Sequence, residues 1–329
     1  MASFDGESWM EKLPKHKQMS PLQELVIPGT HDSCSFSVSV DNDLSPSEPK
    51  WMKLLVKIFG KLAKWVIYRW SKTQELDLGQ QLIRGCRYID MRVALNPTNG
   101  DFQTVHGLYG GRIRNLLQPV KAFVTDHPKE VVILDFNHFY NMDASAHQKL
   151  SGVIKGLFGD RLLPPGKIGV QMTLNDAWDM GKNVIVTYDY SDVIEDNPEF
   201  WSGSDIYSPW ANTSKLATLI NFLNTETESH SLPKGSFHIA QGLLSPNTKV
   251  LLAHLTSSLK ATLALKATQG ITSWLKSVAL SNAHTFNIII ADFVDYDEFA
   301  ETVVGMNAVQ DAVKVHYSIA ICEQINKVI

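Results

Sequence analysis

The stretch Ile27-Pro28-Gly29-Thr30-His31-Asp32-Ser33 decides how the whole chain is interpreted. The residues before it, Glu24–Ile27, predict a short strand, and the Pro-Gly pair predicts a sharp turn that ends the strand. His31 and Asp32 then follow side by side. Because α/β enzymes place their titratable side chains at the carboxyl ends of strands, this pair indicates a chemical site there.

Composition limits the classes to which the chain can belong. It has 329 residues, of which 44% are hydrophobic, with a net charge of −4 and a pI of about 6.3. These values argue against a general nucleic-acid partner. Three distant cysteines indicate reduced thiols, not a disulfide framework, and C-x-x-C metal spacing is absent. We predict no metal and no other cofactor.

Targeting signals are also missing from the sequence. The first 20 residues contain no apolar core of a secretory signal, and no apolar run reaches the ~18 residues that span a bilayer. We therefore expect a cytoplasmic protein whose membrane association is peripheral. No feature of the sequence indicates an oligomeric state.

Short apolar runs alternate with helical patterns along the chain, which is typical of a mostly parallel sheet. About seven or eight such units favour a closed or nearly closed barrel, with an open doubly wound sheet as the alternative. A glycine-rich phosphate-binding fingerprint is absent, which counts against a dinucleotide fold. The predicted strands are Glu24–Ile27, Cys86–Val93, Thr104–Gly107, Val131–Phe136, Asn183–Tyr188, Ser236–Gln241 and Asn287–Phe293. The predicted helices are 51–70, 112–125, 143–158, 173–180, 213–226, 248–279 and 297–325.

Charged side chains recur at or near the ends of these apolar runs, where burial is rare unless a charge is paired or functional. Two histidine–aspartate pairs and an arginine suit displacement at phosphorus. One histidine takes a proton from the attacking hydroxyl, the other protonates the departing alkoxide, and the arginine neutralises phosphate charge. The candidates for this chemistry are His31, Asp32, Arg92, His106 and Asp292, and Asp90 shares a strand face with Arg92.

These segments resemble the X domain of phosphatidylinositol-specific phospholipase C, in particular small eukaryotic proteins that consist of an X domain alone. The resemblance covers roughly residues 8–305, and a C-terminal helix towards residue 329 completes one domain over 1–329. It rests on the motifs Ile27–Ser33, Gly85–Val93, Val105–Gly110, Glu130–Tyr140, Pro209–Thr213 and Asn287–Val294.

This resemblance implies an α/β fold, a distorted TIM-type (βα) barrel, that cleaves phosphatidylinositol-type lipids to diacylglycerol and inositol phosphate. His31 matches the general base, oriented by Asp292, and His106 matches the general acid, assisted by Asp32. Arg92 matches the phosphate-binding arginine of the metal-independent bacterial enzymes. Calcium-dependent relatives have an acidic ligand at that position, so we predict calcium independence.

Two positions depart from the family pattern. Bacterial enzymes hold the inositol ring with a lysine and an arginine, where this chain has Asn137 and Tyr188. We predict that both contact the head group, and that Asp90 lies behind the reacting groups and supports Arg92 or Arg87.

Residues 51–70 predict one amphipathic helix with a lysine stripe opposite an apolar, tryptophan-containing face. Such helices lie on anionic membranes. The alternative is an ordinary barrel-covering helix that packs its apolar face inward.

Two other functions stay open. A glycerophosphodiester phosphodiesterase generally uses a metal and a His-Arg pair near its first strand, whereas this chain has His31-Asp32. A catalytically weak adaptor that binds inositol lipids is compatible with the non-cationic Asn137 and Tyr188.

Overall fold

A computed structural model describes residues 4–228, 235–279 and 284–309 of the protein. Its strands pair in parallel along the order β7-β6-β5-β2-β1-β10-β9-β8, while β3 pairs antiparallel with β2, and β4 pairs antiparallel with β3. The strands are β1 (Ile27–Thr30), β2 (Tyr88–Leu95), β3 (Phe102–His106), β4 (Leu108–Arg112), β5 (Val132–Tyr140), β6 (Val184–Tyr188), β7 (Trp201–Ser202), β8 (Ile206–Tyr207), β9 (Phe237–Gln241) and β10 (Ile288–Ala291).

The sheet curls into a nearly closed barrel. Its two edge strands, β7 and β8, are consecutive in the chain and are joined by a single 3₁₀ turn, Gly203–Asp205. This arrangement confirms the predicted α/β barrel and excludes the open doubly wound alternative, in which the two edges would lie far apart.

The helices cover the outside of the barrel and form its loops. They are α1 (Lys15–Gln18), α2 (Lys50–Phe59), α3 (Lys61–Ser71), α4 (Leu78–Ile83), α5 (Ile113–Leu116), α6 (Gln118–Asp126), α7 (Ala144–Phe158), α8 (Leu174–Asp179), α9 (Ser191–Asp196), α10 (Leu216–Glu226), α11 (Thr248–Ala253) and α12 (Leu265–Val278). The predicted helix 297–325 is helical over 299–309; residues 297 and 298 form a turn, and 310–325 lie outside the described residues.

Alternation of side chains along the strands divides the core into an inner and an outer part. Ile27, Tyr88, Ile133 and Ile239 belong to one cluster that fills the barrel. Strand residues of opposite parity pack outward against the helices in two further clusters. The near-continuous apolar runs in the sequence reflect this burial on both faces.

Strand β1 corrects the sequence interpretation. It begins at Ile27 and contains the Pro-Gly pair, whereas Leu22–Glu24 forms a 3₁₀ turn. The carbonyl of Pro28 accepts the Arg87 backbone N–H (2.8 Å), so the proline does not interrupt that contact. A Cβ at Gly29 would lie 2.7 Å from the Cβ of Tyr88, so the glycine permits the close approach of β2. His31 and Asp32 therefore follow directly from the strand's end.

The predicted helix 51–70 is two helices, α2 and α3, separated by Gly60 at φ +54°. A positive φ of this kind is accessible to glycine and ends the first helix. Within α2, which the structure describes in full, no side chain is buried. The alternative of a barrel-covering helix with an inward apolar face is therefore wrong for α2, whereas α3 packs Val66 and Trp70 against the core as that alternative predicts.

Among the described residues, no helix has both the length and the hydropathy needed to cross a bilayer.

Candidate active site

The charged side chains that follow the strands converge on a cavity of about 340 Å³ at the carboxyl end of the barrel. Several strands contribute to its wall, which is the usual place for the active site of a βα barrel. The cavity is lined by His31, Tyr88, Asp90, Arg92, Asp135, Asn137, His138, Asp189, Gly203, Ile206, Ser208, Gln241 and Ile290.

His31 lies between a carboxylate and a guanidinium. Its Nδ1 is 2.9 Å from Oδ1 of Asp292, and its Nε2 is 3.2 Å from Nη2 of Arg92. Because the Asp292 carboxylate only accepts, the neutral ring carries its proton on Nδ1. Nε2 then has the lone pair that a general base needs, although Oδ2 of Asp32 also lies 3.2 Å from it and favours the protonated ring.

Asp32 is the anion around which the other groups are arranged. Its Oδ2 lies 3.0 Å from Nε2 of His106 and 3.2 Å from Nε2 of His31, and its Oδ1 forms an ion pair with Nε of Arg92. The carboxylate is buried. Its backbone has φ +42°, a left-handed conformation that few side chains adopt.

His106 is fixed from its other side by helix α3. Its Nδ1 donates to the backbone carbonyl of Ser71 at 2.5 Å, and Ser71 is the last residue of that helix. The carbonyls of a final helical turn lack intrahelical partners and carry partial negative charge, so this contact favours a ring protonated at Nδ1. Nε2 is left facing Asp32.

Charge interactions separate the pKa values of the two histidines. Burial lowers the pKa of His31, but Asp32 and Asp292 outweigh it and raise the value to about 9. Burial lowers the pKa of His106, and Arg92 adds to this effect while Asp32 opposes it. Burial alone would raise the pKa of Asp32, yet Arg92 and the two histidines hold it at about 2.

Asp90 forms its side-chain hydrogen bonds with Asp32 and Asn137, and it acts on Arg92 through its charge alone. Its Oδ2 accepts the backbone N–H of Asp32 at 2.8 Å, and its Oδ1 accepts the amide of Asn137 at 2.9 Å. Arg87 instead forms a fully buried pair with Glu130 (2.7 Å), so the predicted pairing of Asp90 with Arg87 is wrong.

Comparison with known proteins identifies the family. The chain is 38% identical over 301 residues to PI-PLC X domain-containing protein 2 of Mus musculus, covering 91% of this chain and 87% of the mouse protein. It is 35% identical to PI-PLC X domain-containing protein 3 of Homo sapiens, covering 94% and 98% of the two chains. The chain belongs to the PI-PLC X domain-containing proteins. None of the protein-family models searched matches it.

The fold of this X domain-containing protein is also that of bacterial enzymes. The phosphatidylinositol-specific phospholipase C from Listeria monocytogenes superposes with a TM-score of 0.63 at 17% identity, covering 92% of this chain and 99% of the bacterial chain. The Staphylococcus aureus enzyme gives the same TM-score and identity, covering 92% and 98%. At this identity the likeness establishes the barrel fold.

The two residues predicted to contact the head group lie on opposite sides of the barrel wall, Asn137 inside and Tyr188 outside. Asn137 lines the cavity, but its amide is engaged by two carboxylates. Tyr188 is fully buried outside the barrel wall, where its hydroxyl lies 3.0 Å from Nδ1 of His147. The prediction that Tyr188 contacts the head group is wrong, because strand alternation turns this residue toward the helices and the preceding Thr187 toward the interior.

Sequence reasoning left other cavity-lining residues unassigned. Asp135 and His138 stand out in the run Asp135-Phe136-Asn137-His138, but strict alternation would place them on opposite faces of the strand. Both line the cavity, and the pairing of β2 with β5 shifts register at this point. Asp189 directly follows the predicted strand Asn183–Tyr188, and Gln241 is the last residue of the predicted strand Ser236–Gln241. That position is the signal by which they could have been found.

The described residues include one group able to ligate a cation. His31, Asp32 and Asp90 each offer an atom, and these atoms lie within 4.8 Å of one another. The guanidinium of Arg92 already contacts Asp32, and both oxygens of Asp90 accept hydrogen bonds. A bound cation would have to displace these contacts and face Arg92, so the donor set does not fit a resident calcium ion.

Proposed function

We propose that this protein is a calcium-independent phosphodiesterase of the phospholipase C type that acts on phosphatidylinositol-type lipids. The observation that carries the proposal is the placement of two histidines on Asp32, with ring centroids 6.2 Å apart, beside Arg92. This is the arrangement that a base, an acid and a phosphate anchor need around a single phosphorus atom.

In the first step, a ring hydroxyl of the inositol head group attacks the phosphorus. Nε2 of His31 takes the hydroxyl proton as the new O–P bond forms, and Asp292 stabilises the resulting imidazolium. Arg92 neutralises charge on the non-bridging oxygens. The bond from phosphorus to the glycerol oxygen breaks, and His106 supplies the proton that completes diacylglycerol.

The second product is a cyclic inositol phosphate. In a second step, His106 takes a proton from water as the water oxygen bonds to phosphorus. The bond from phosphorus to the attacking inositol oxygen breaks, His31 protonates that oxygen, and the cyclic phosphate opens to inositol phosphate. The roles are reversed because the second step is the reverse of the first with water in place of diacylglycerol.

We also propose that the protein is cytoplasmic and reaches its lipid substrate by associating peripherally with the membrane. Helices α2 and α3 expose apolar side chains at the carboxyl end of the barrel, with Ile58 at 62% and Leu62 at 65% exposure. Ser71 at the end of α3 touches His106, so this surface adjoins the cavity. We define the α2–α3 apolar face as Trp51, Leu54, Leu55, Ile58, Phe59, Leu62 and Trp65.

The decisive experiment measures turnover of phosphatidylinositol in mixed micelles with excess chelator, for the wild type and for His31→Ala. Removal of a general base typically lowers the rate ~10²–10⁴-fold. Diacylglycerol released by the wild type and not by the variant would support the proposal. No turnover by either protein, with binding to inositol-lipid vesicles retained, would favour the adaptor. Turnover restored only by added metal would contradict the metal-free mechanism.

A further inference from the structure

The side-chain amide of Asn137 joins two buried carboxylates. Its Nδ2 donates one hydrogen to Oδ1 of Asp90 (2.9 Å) and the other to Oδ2 of Asp135 (2.8 Å). Its Oδ1 faces Nδ1 of His138 at 2.7 Å. An amide nitrogen has two hydrogens, so this group has no donor left for a substrate hydroxyl.

Asp90 connects Asn137 to Asp32, which contacts both histidines. Its other oxygen accepts the backbone N–H of Asp32, the residue held at positive φ. The hydroxyl of Ser33 accepts the backbone N–H of Asp90, which fixes the two strand ends relative to each other. The position of Asp32, and with it the contacts to both histidines, therefore depends on where Asp90 is held.

Asp135 anchors the far side of this chain of contacts. Tyr88 donates its hydroxyl to Oδ2 and Thr187 donates to Oδ1, each at 2.5 Å. All three side chains are buried. Asp135 is thus held by β2 and β6, so the amide of Asn137 connects a fixed carboxylate to Asp90.

We propose that Asn137 is a positioning residue, which holds Asp90 and through it Asp32, and is not a ligand of the head group. The proposal rests on the proposed function, since positioning matters only if Asp32 serves the reaction. The amide of Asn137 separates Asp90 from Asp135 without adding charge. A carboxylate at the same place would offer acceptors where donors are needed.

The test compares Asn137→Asp and Asn137→Leu with Asn115→Asp, which changes an exposed residue on α5. We expect both changes at 137 to lower kcat about 10–100-fold, as a small misplacement of reacting groups does, with KM changed less than about threefold. The Asp variant should recover part of its kcat as the pH falls, because a protonated carboxyl regains one donor. The Leu variant should show no such recovery, and the control should match the wild type.

A second measurement does not depend on activity. The Asp32 backbone amide, followed by NMR on protein labelled with ¹⁵N-aspartate and without substrate, should shift in both Asn137 variants and not in Asn115→Asp. Thermal unfolding of each variant shows whether it remains folded. If Asn137→Asp is unfolded, the NMR comparison is made with Asn137→Leu.

A raised KM with unchanged kcat would overturn the proposal in favour of head-group binding. An unmoved Asp32 amide in a folded variant would also overturn it. If the wild type has no activity, the proposed function fails by itself, whereas the NMR measurement still decides whether Asn137 positions Asp32.

Discussion

Nδ1 of His31 lies 2.9 Å from Oδ1 of Asp292, although 261 residues separate them in the chain. Strand pairing explains the contact, because β1 and β10 are parallel neighbours with Thr30 opposite Ala291. Each partner is the first residue after its strand, so the barrel places the ring and the carboxylate at the same height. The parallel pairing of β1 with β10 thus creates the pair that the proposed mechanism uses.

Asp292→Asn should lower kcat by about 10²–10⁴-fold while leaving the fold intact. The amide can present an N–H to Nδ1 and so favour the wrong tautomer, and it cannot stabilise an imidazolium. NMR titration should also show the pKa of His31 falling below about 9, because Asp292 contributes to raising it. Asp295→Asn, three residues further on and exposed, is the matched control. An unchanged kcat would remove Asp292 from the mechanism.

The pH dependence of kcat/KM should be bell-shaped, with an acid limb below pH 6.5 and an alkaline limb near pH 9. The acid limb reports the lowered pKa of His106, and the alkaline limb reports the raised pKa of His31. The pH profile has these two limbs whichever of the two histidines must be protonated for activity. Asp32→Asn removes an anion that raises both values, so both limbs should move to lower pH. An alkaline limb that stays near pH 9 in this variant would show that Asp32 does not set the pKa of His31.

The sequence was sufficient to predict the barrel and to bring His31, Asp90 and Arg92 to its cavity. Near-continuous apolar runs require burial on both faces, and charged residues at the ends of such runs must share an environment that tolerates them. His31, Arg92 and His106 therefore converge because parallel strands end together. Their roles in the chemistry stay predictions.

Other features depended on geometry that the sequence does not encode locally. Tyr188 ends an apolar run, and its face is decided by the register of β6 on β5, which no local pattern reveals. The division of residues 51–70 depends on the positive φ of Gly60. The bridge through Asn137 requires Asp90 and Asp135 to be paired across two strands, and this pairing exists only in the folded sheet.

Activity should persist in excess EGTA and should fall about 10²–10³-fold in Arg92→Gln, as it does when a charge-stabilising donor is lost. Arg92→Lys should restore only part of the rate, because an ammonium group lacks the planar fork that binds two phosphate oxygens. Initial rates with and without added calcium check both points. Loss in chelator, with recovery on addition of calcium, would instead favour a cation held by His31, Asp32 and Asp90.

Stability should depend strongly on Glu130, which lies far from the cavity. Its Oε2 accepts from Nε (3.0 Å) and Nη2 (2.7 Å) of Arg87, whose side chain is fully buried. Glu130→Ala leaves that charge uncompensated and should lower the free energy of unfolding by about 3–5 kcal/mol. Urea denaturation measures the change, with exposed Glu301→Ala as a control expected within about 0.5 kcal/mol. The double variant with Arg87→Met should lose less, and an equal or larger loss would contradict this account.

Vesicle binding should depend on the α2–α3 apolar face. Ile58→Ser, Phe59→Ser and Leu62→Ser together should weaken binding to vesicles containing phosphatidylserine and phosphatidylinositol by about 10-fold or more, because the exposed apolar area is lost. Lys53→Glu, Lys57→Glu and Lys61→Glu should weaken binding in a salt-dependent way, although Lys61 already pairs with Asp41 at 3.2 Å.

The matched control for this surface changes exposed apolar residues at the opposite end of the barrel, namely Ile83→Ser, Ile168→Ser and Met180→Ser. These residues lie before the amino ends of β2 and β6, so a bilayer that covers the cavity cannot reach them. Vesicle sedimentation at two salt concentrations separates the apolar from the ionic contribution. If the control weakens binding as much as the changes in α2 and α3, general loss of apolar surface is responsible and the proposed orientation on the membrane is wrong.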